Sequence, residues 1–198
     1  ISIEPSANLI SHANKVLLIG SCFTENIGNL LQYHQFQACQ NPHGIIYNPV
    51  SIFNSIAEVA TIKKYTEEDL LLNNELYVSL NHHGKFSGLE KGQVLNSIND
   101  EIQHANEHFK ESDFIVITLG TSFVYEYLEL QKIAANCHKI PNTKFAKRLL
   151  TIPKIIQAFG TIQLYIQNKK IIFTVSPVRH WRDGAVENQR SKSILIEG

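Results

Sequence analysis

Two side chains capable of nucleophilic attack, Ser21 and Cys22, stand together at the end of an apolar run in VLLIGSCFTENIG, residues 16–28. The run stops at Gly20, and Ile27, Leu30 and Leu31 then follow at the spacing of an amphipathic helix, with Thr24 as a plausible N-cap. The pair therefore falls at a strand-to-helix turn. Unpaired N–H groups and the positive end of the helix dipole favour an anion there. A thiol in that position shifts toward thiolate, and the neighbouring N–H groups can form part of an oxyanion hole. A structural alternative uses the same residues, with Ser21 as helix cap and Cys22 as a small buried apolar group.

Two further clusters follow apolar runs. In LGTS, Gly120 allows close backbone approach, while the Thr121 and Ser122 hydroxyls can donate to a developing negative charge; a strand exit with local Ser/Thr hydrogen bonds explains them equally. SPVRHWRDGAVENQRSK, residues 176–192, carries Arg179, His180, Trp181, Arg182 and Asp183. Its arginines could bind an anion and His180 could act as a base, or the segment is a solvated polar loop. Metal chemistry is not expected. His104 and His108 have the i, i+4 spacing of zinc ligands, but HANEH lacks the glutamate that follows the first histidine in zinc proteases. His82-His83 and Cys137-His138 have no partners at ligand spacing. No GxGxxG occurs, so no dinucleotide cofactor is expected.

The elements that must position these clusters read as alternating strands and helices. Strands are expected at 15–20, 36–40, 113–119 and 170–175, and helices at 24–34, 49–60, 93–109, 151–167 and from 188 onward. TEEDLL (66–71) reads as a second capped helix start. Residues 75–80 alternate and lead into the turn NHHGKFSG (81–88), which suggests a small hairpin. Residues 125–139 read as an irregular excursion, and NPHGIIYNP (41–49) as a loop. The fold class is α/β, a three-layer α/β/α arrangement of flavodoxin-like type with a mostly parallel sheet. Ligands in such sheets bind beyond the carboxyl ends of the strands, where all three clusters lie.

The 198 residues suffice for a single domain. Lysine plus arginine equals aspartate plus glutamate at 18 each, so no net positive charge points to nucleic acid or an anionic membrane. The apolar runs are strand-length and the N-terminal residues have no signal-peptide pattern. Three widely spaced cysteines argue for reduced thiols, and a cytoplasmic location is expected.

GSCFTENIG, NPHGIIYNPVSI, YTEEDL, HHGKFS, ITLGTSFVYE, NCHKIP and TVSPVRHWRDGAVENQRSKSIL together, in this order, resemble the GSCFA-domain proteins. That family is similar to the SGNH hydrolases, which cleave acyl esters. The resemblance implies a nucleophile after the first strand and an Asp-x-x-His pair near the C-terminus. The superfamily's Gly-Asp-Ser-apolar-Thr laid ungapped falls on residues 20–24 and puts Cys22 at the nucleophile; a one-residue shift gives the role to Ser21. Gly44 is a candidate for the second block. Gly-x-Asn-Asp becomes residues 120–123, with Ser122 in place of the asparagine donor. No aspartate here has a histidine three residues on, so the resemblance implies a domain that continues past residue 198, unless His180 substitutes. Candidate catalytic residues are thus Ser21, Cys22, Ser122 and His180. Gly20, Gly44, Asn48, Gly120, Thr121 and Arg179 are expected to contact substrate or an oxyanion. The expected substrate is an O-acyl ester, small or carried on a glycan, and the alternative is a binding module on the same fold.

Overall fold

The structure, a computed structural model, describes residues 6–178 and 184–198. Four parallel strands make the central sheet: β1 (Lys15–Gly20), β2 (Gln37–Gln40), β5 (Phe114–Leu119) and β9 (Lys170–Val175), in the order β2-β1-β5-β9. Strands β1 and β5 are central and covered on both faces, which is why KVLLIG and FIVITL are apolar at nearly every position instead of alternating. Strand β9 pairs only with β5, and its side chains are correspondingly half-exposed.

Helices cover both faces, as the α/β pattern requires. Val16, Leu18 and Phe114 face α1 (Cys22–Tyr33) through Ile27 and Leu31. Leu17, Ile19, Ile115 and Ile117 face the other layer. It contains α2 (Pro49–Thr61), α3 (Lys91–Glu111), α4 (Ile152–Gly160), the short α5 (Gln163–Ile166) and α6 (Gly184–Glu197), through Ile52, Ile56, Phe109, Ile155, Ile166 and Leu195. Chain order turns one way from β1 to β2 and the other way from β2 to β5. The crevice at this reversal opens at the carboxyl ends of β1 and β5.

Several expected elements differ. The stretch 66–71 forms only one 3-10 turn, Glu67–Asp69, closed by a capping box between Thr66 and Asp69. The hairpin lies earlier than expected, as β3 (Leu71–Asn73) against β4 (Leu76–Val78). Its turn is Asn74-Glu75, both at positive φ as a two-residue type I′ turn requires. The 81–88 stretch is instead a return held by a single Tyr77–Gly88 bridge. The excursion is regular: β6 (Phe123–Tyr127), β7 (Lys132–Ala134) and β8 (Phe145–Leu149) form an antiparallel sheet in the order β7-β6-β8. The expected 151–167 helix breaks after Gly160 into α4 and α5. Among the described residues no helix is long and apolar enough to cross a membrane.

Candidate functional site at the carboxyl edge of the sheet

Ser21 and Cys22 are placed differently at the β1 exit. Ser21 is fully buried and caps α1: its Oγ accepts from the N–H of Phe23 at 3.3 Å, and its carbonyl accepts from Thr24 at 2.9 Å. The cap is thus Ser21 and not Thr24, whose buried hydroxyl has no partner. Cys22 is the first helical residue and is partly exposed. Its N–H, one of the orphan donors of a helix start, has no partner among the described residues. Cys137 is partly exposed too, whereas Cys39 lies buried in β2, where burial and then the charge of Glu101 push its pKa up to about 11.

Loop 41–48 ties the strand exits together. Ile46 N–H donates to the carbonyl of Gly20 at 3.1 Å, and the carbonyl of Tyr47 accepts from Gly120 at 2.7 Å and Thr121 at 3.1 Å. One loop therefore grips β1 and β5 at once. Gly120 is required by this contact, because a Cβ there would stand 2.8 Å from Tyr47 Cδ1. Burial, then the charges of Cys22 and Glu25, raise the Tyr47 phenol above its usual pKa, so its O–H stays protonated beside the thiol.

Most of the expected oxyanion donors are engaged in building this edge. Gly20 N–H donates to Asn41 Oδ1 at 2.9 Å, and Gly44 N–H to the carbonyl of Asn41 at 2.7 Å. Asn48 caps α2, accepting from Ser51 N–H at 2.9 Å and donating to Ser51 Oγ at 3.0 Å. Ser122 is fully buried; its N–H and hydroxyl both go to Ser191 of α6, at 2.8 and 3.1 Å. Thr121 Oγ1 lies 3.1 Å from the same Ser191 hydroxyl. At Gly20 and Ser122 the reason is the same: a strand exit exposes backbone N–H groups that nearby side chains must satisfy. Arg179 and His180 lie outside the described residues.

A groove of about 580 Å³ opens beside this edge. Tyr47, Thr121, Phe123, Tyr125, Cys137 and His138 are among its walls, and no carboxylate of the described residues lines it. Alternation along β6 sends Phe123 and Tyr125 to the groove and Val124 to the core. The wall loop is strained: His138 and Lys139 both have positive φ, at 48° and 58°.

Lys192 of α6 closes the other side. Its Nζ donates to the carbonyls of Gly120 at 2.6 Å and Ser176 at 2.7 Å, bridging the ends of β5 and β9, and burial lowers its pKa. Lys192→Met leaves both carbonyls without that donor. It is expected to lower the unfolding free energy by about 2 kcal/mol, read as a lower urea midpoint at unchanged slope.

Sequence reasoning passed over a buried polar network behind the loop. His43 is 1% exposed; its Nε2 lies 2.7 Å from Glu58 Oε2 and its Nδ1 2.8 Å from Ser55 Oγ. Its ring stacks on the fully buried His82, with centroids 4.4 Å apart. Lys63, Asn81 and the Tyr65 hydroxyl also donate to Glu58. Burial would raise the Glu58 carboxyl; the hydrogen bond and charge of His43, then Lys63 and Tyr65, outweigh it and hold its pKa at about 2. Burial, then the charge of His43, pushes the imidazole of His82 well down. Hydroxyl, imidazole and carboxylate occur here in the connectivity of a hydrolytic triad, but Ser55 is 1% exposed on an interior face of α2 and no substrate reaches it. Among the described residues no group of three or more His, Cys, Asp or Glu could hold a metal ion.

The Glu58 pKa sets an acid dependence. The folded carboxyl lies below its ordinary value of 4.5, so its contribution to stability is full above that pH and is lost as pH falls from about 4.5 to about 2. Thermal unfolding between pH 6 and pH 2 is expected to show Glu58→Gln converging on the parent at the acid end.

An open, all-parallel central sheet with helices on both faces, and a thiol at the N-terminus of the helix after its first strand, defines an α/β protein of three-layer type. The chain belongs to the GSCFA family, whose match spans residues 15–197. A Dictyostelium discoideum protein described as "Probable serine/threonine-protein kinase fnkE" is 30% identical over 121 residues, 60% of this chain. The matched stretch is 8% of that relative's length. No solved structure matches.

Proposed function

We propose that the domain is an SGNH-like acyl-ester hydrolase with Cys22 as nucleophile, acting on an O-acyl group of a carbohydrate or small alcohol. The observation that carries this reading is the division of labour at the β1 exit: Ser21 is used as cap, while Cys22 is partly exposed with an unengaged N–H. Cys22 Sγ attacks the acyl carbonyl and forms a thioester; the ester C–O bond breaks and the alcohol leaves with a proton. Water then attacks the thioester, releasing the carboxylic acid and returning the thiol. The Cys22 N–H, at the positive end of α1, stabilises the oxyanion in both steps. His180, or a histidine of the Asp-x-x-His pair that the family resemblance implies, carries the proton. The aromatic, carboxylate-free groove suits a sugar face or a flat alcohol. The kinase description belongs to a relative of which this chain matches 8% of the length, and it adds nothing to this reading.

The test is a panel of 4-nitrophenyl esters and O-acetylated oligosaccharides with the purified protein. The expected result is turnover, with one acyl group trapped on the Cys22 peptide by mass spectrometry after acid quench. Turnover without label at Cys22, or no turnover with any ester, overturns the assignment.

One observation favours a binding module instead: Gly20, Gly44, Gly120 and Ser122 donate within the protein and not into the groove. On that reading unmodified oligosaccharides bind by calorimetry and Cys22→Ala binds them equally.

A further inference from the structure

We propose that Glu58 is a positioning residue of this site, acting through His43 on the loop that joins the two strand exits. The proposal rests on Cys22 and the groove being the reactive site, as argued above, and adds residues that touch neither.

His43 directly precedes the loop's working segment and is held on every side. Both ring nitrogens are bonded, to Glu58 at 2.7 Å and Ser55 at 2.8 Å, so the ring is fixed against α2. One ring face stacks on His82, whose Nδ1 lies 2.9 Å from Ser79 Oγ. The His43 carbonyl accepts from His83 N–H at 2.8 Å, which pins the backbone to the 79–84 turn. Gly44 follows at φ +76° with no room for a side chain, since a Cβ would lie 2.2 Å from His83 Cβ. The next residues make the contacts that matter at the edge: Ile46 to Gly20, and Tyr47 to Gly120 and Thr121. The position of the Tyr47 wall of the groove, and of the loop that bonds Gly20 at the β1 exit, is thus set by where His43 is held.

Glu58 is the anchor of that hold. Four side chains converge on its carboxylate, from the loop (His43), the segment after α2 (Lys63 and Tyr65) and the turn (Asn81). Asn81 Nδ2 also donates to the Tyr65 hydroxyl at 2.8 Å, so the shell is cross-braced. From Ser79 the bracing continues to the far wall, where His138 Nε2 lies 2.7 Å from the Ser79 carbonyl. Both walls of the groove are therefore referred to one half-buried carboxylate. A network of this kind fixes geometry more than it adds stability.

The experiment compares Glu58→Gln, Glu58→Ala and His43→Gln with the parent in three measurements. The first is the amide 1H–15N shifts of Ile45 to Tyr47, Gly120 and Thr121. The second is the rate of iodoacetamide alkylation at Cys22, read peptide by peptide so that Cys39 and Cys137 do not interfere. The third is KM against kcat on the best ester of the panel. Glu58→Gln keeps the shape of the anchor but only one of its two acceptor oxygens, and it removes the charge. It is expected to move the loop shifts, change the alkylation rate about threefold and raise KM about fivefold with kcat within twofold. Glu58→Ala and His43→Gln are expected to extend each change in the same direction. Folded Glu58→Gln and His43→Gln proteins with unmoved loop shifts and an unchanged alkylation rate overturn the proposal. The first two measurements need no turnover, so they decide it even where the hydrolase reading fails.

Discussion

Cys22→Ala is expected to lower ester turnover by at least about a thousandfold, the scale of losing a covalent nucleophile, while the fold is retained. The side chain is partly exposed, and among the described residues no hydrogen bond to its sulfur holds the helix start. Its backbone carbonyl, which accepts from Asn26 Nδ2 at 3.0 Å, survives the substitution. Ser21→Ala is expected to behave in the opposite way. The cap to Phe23 is lost from a fully buried position, at about 1 kcal/mol, and turnover persists. Cys22→Ser places a hydroxyl where the thiol stood and is expected to retain a small fraction of activity, because a serine at a helix start needs a base more than a thiol does. Urea unfolding and steady-state rates on the three variants separate the two residues. Equal loss of turnover in Ser21→Ala and Cys22→Ala would return the nucleophile to dispute.

The strands that place this pair could be read from composition because the central sheet is buried on both faces. VLLI and FIVI have no polar position to conceal, and their ends are marked by Gly20 and Gly120. The register of the turn was not readable. Ser21 and Thr24 are both good caps, and what decides between them is the 3.3 Å bond from Ser21 N–H to the Thr118 carbonyl, a contact from the neighbouring strand. The hairpin was displaced for a related reason. Asn74-Glu75 lacks the glycine that usually marks a type I′ turn, while the glycine-rich 81–88 stretch resembles a turn and is held by backbone contacts to His43 and Tyr77. The 151–167 break was hidden because its apolar period continues across it, with Ile155 buried before the break and Ile162 and Ile166 buried after it. The His43–Glu58 network left no local trace at all. Its members come from residues 43, 55, 58, 65, 81 and 82, and only the crossing of α2 with two loops assembles them. The groove was equally illegible, because its far wall is the antiparallel β6–β8 sheet, in a region with few apolar alternations to reveal strands.

Gly20→Ala is expected to be the most destabilising single substitution near the site. Gly20 has φ +144°, a conformation that side-chain-bearing residues rarely adopt, and an added Cβ would stand 2.2 Å from the Thr118 carbonyl oxygen. That oxygen belongs to the backbone of central strand β5 and already accepts from Ser21 N–H, so it has nowhere to retreat. The backbone strain and the steric conflict add, and a loss on the order of 4 kcal/mol follows. That is a large share of the total stability of a domain this size. Gly92→Ala is the control: its added Cβ meets nothing within 4 Å, and the residue is helical in α3. There the substitution is expected to add about 0.5 kcal/mol through helix propensity alone. If Gly20→Ala unfolds within about 1 kcal/mol of the parent, the β1 exit does not have this geometry, and the separation of Ser21 as cap from Cys22 as exposed thiol fails with it. The close approach of Gly20 to β5 is what forces the chain to turn there. That turn puts the first side chain into the cap and leaves the second partly exposed at the first position of α1.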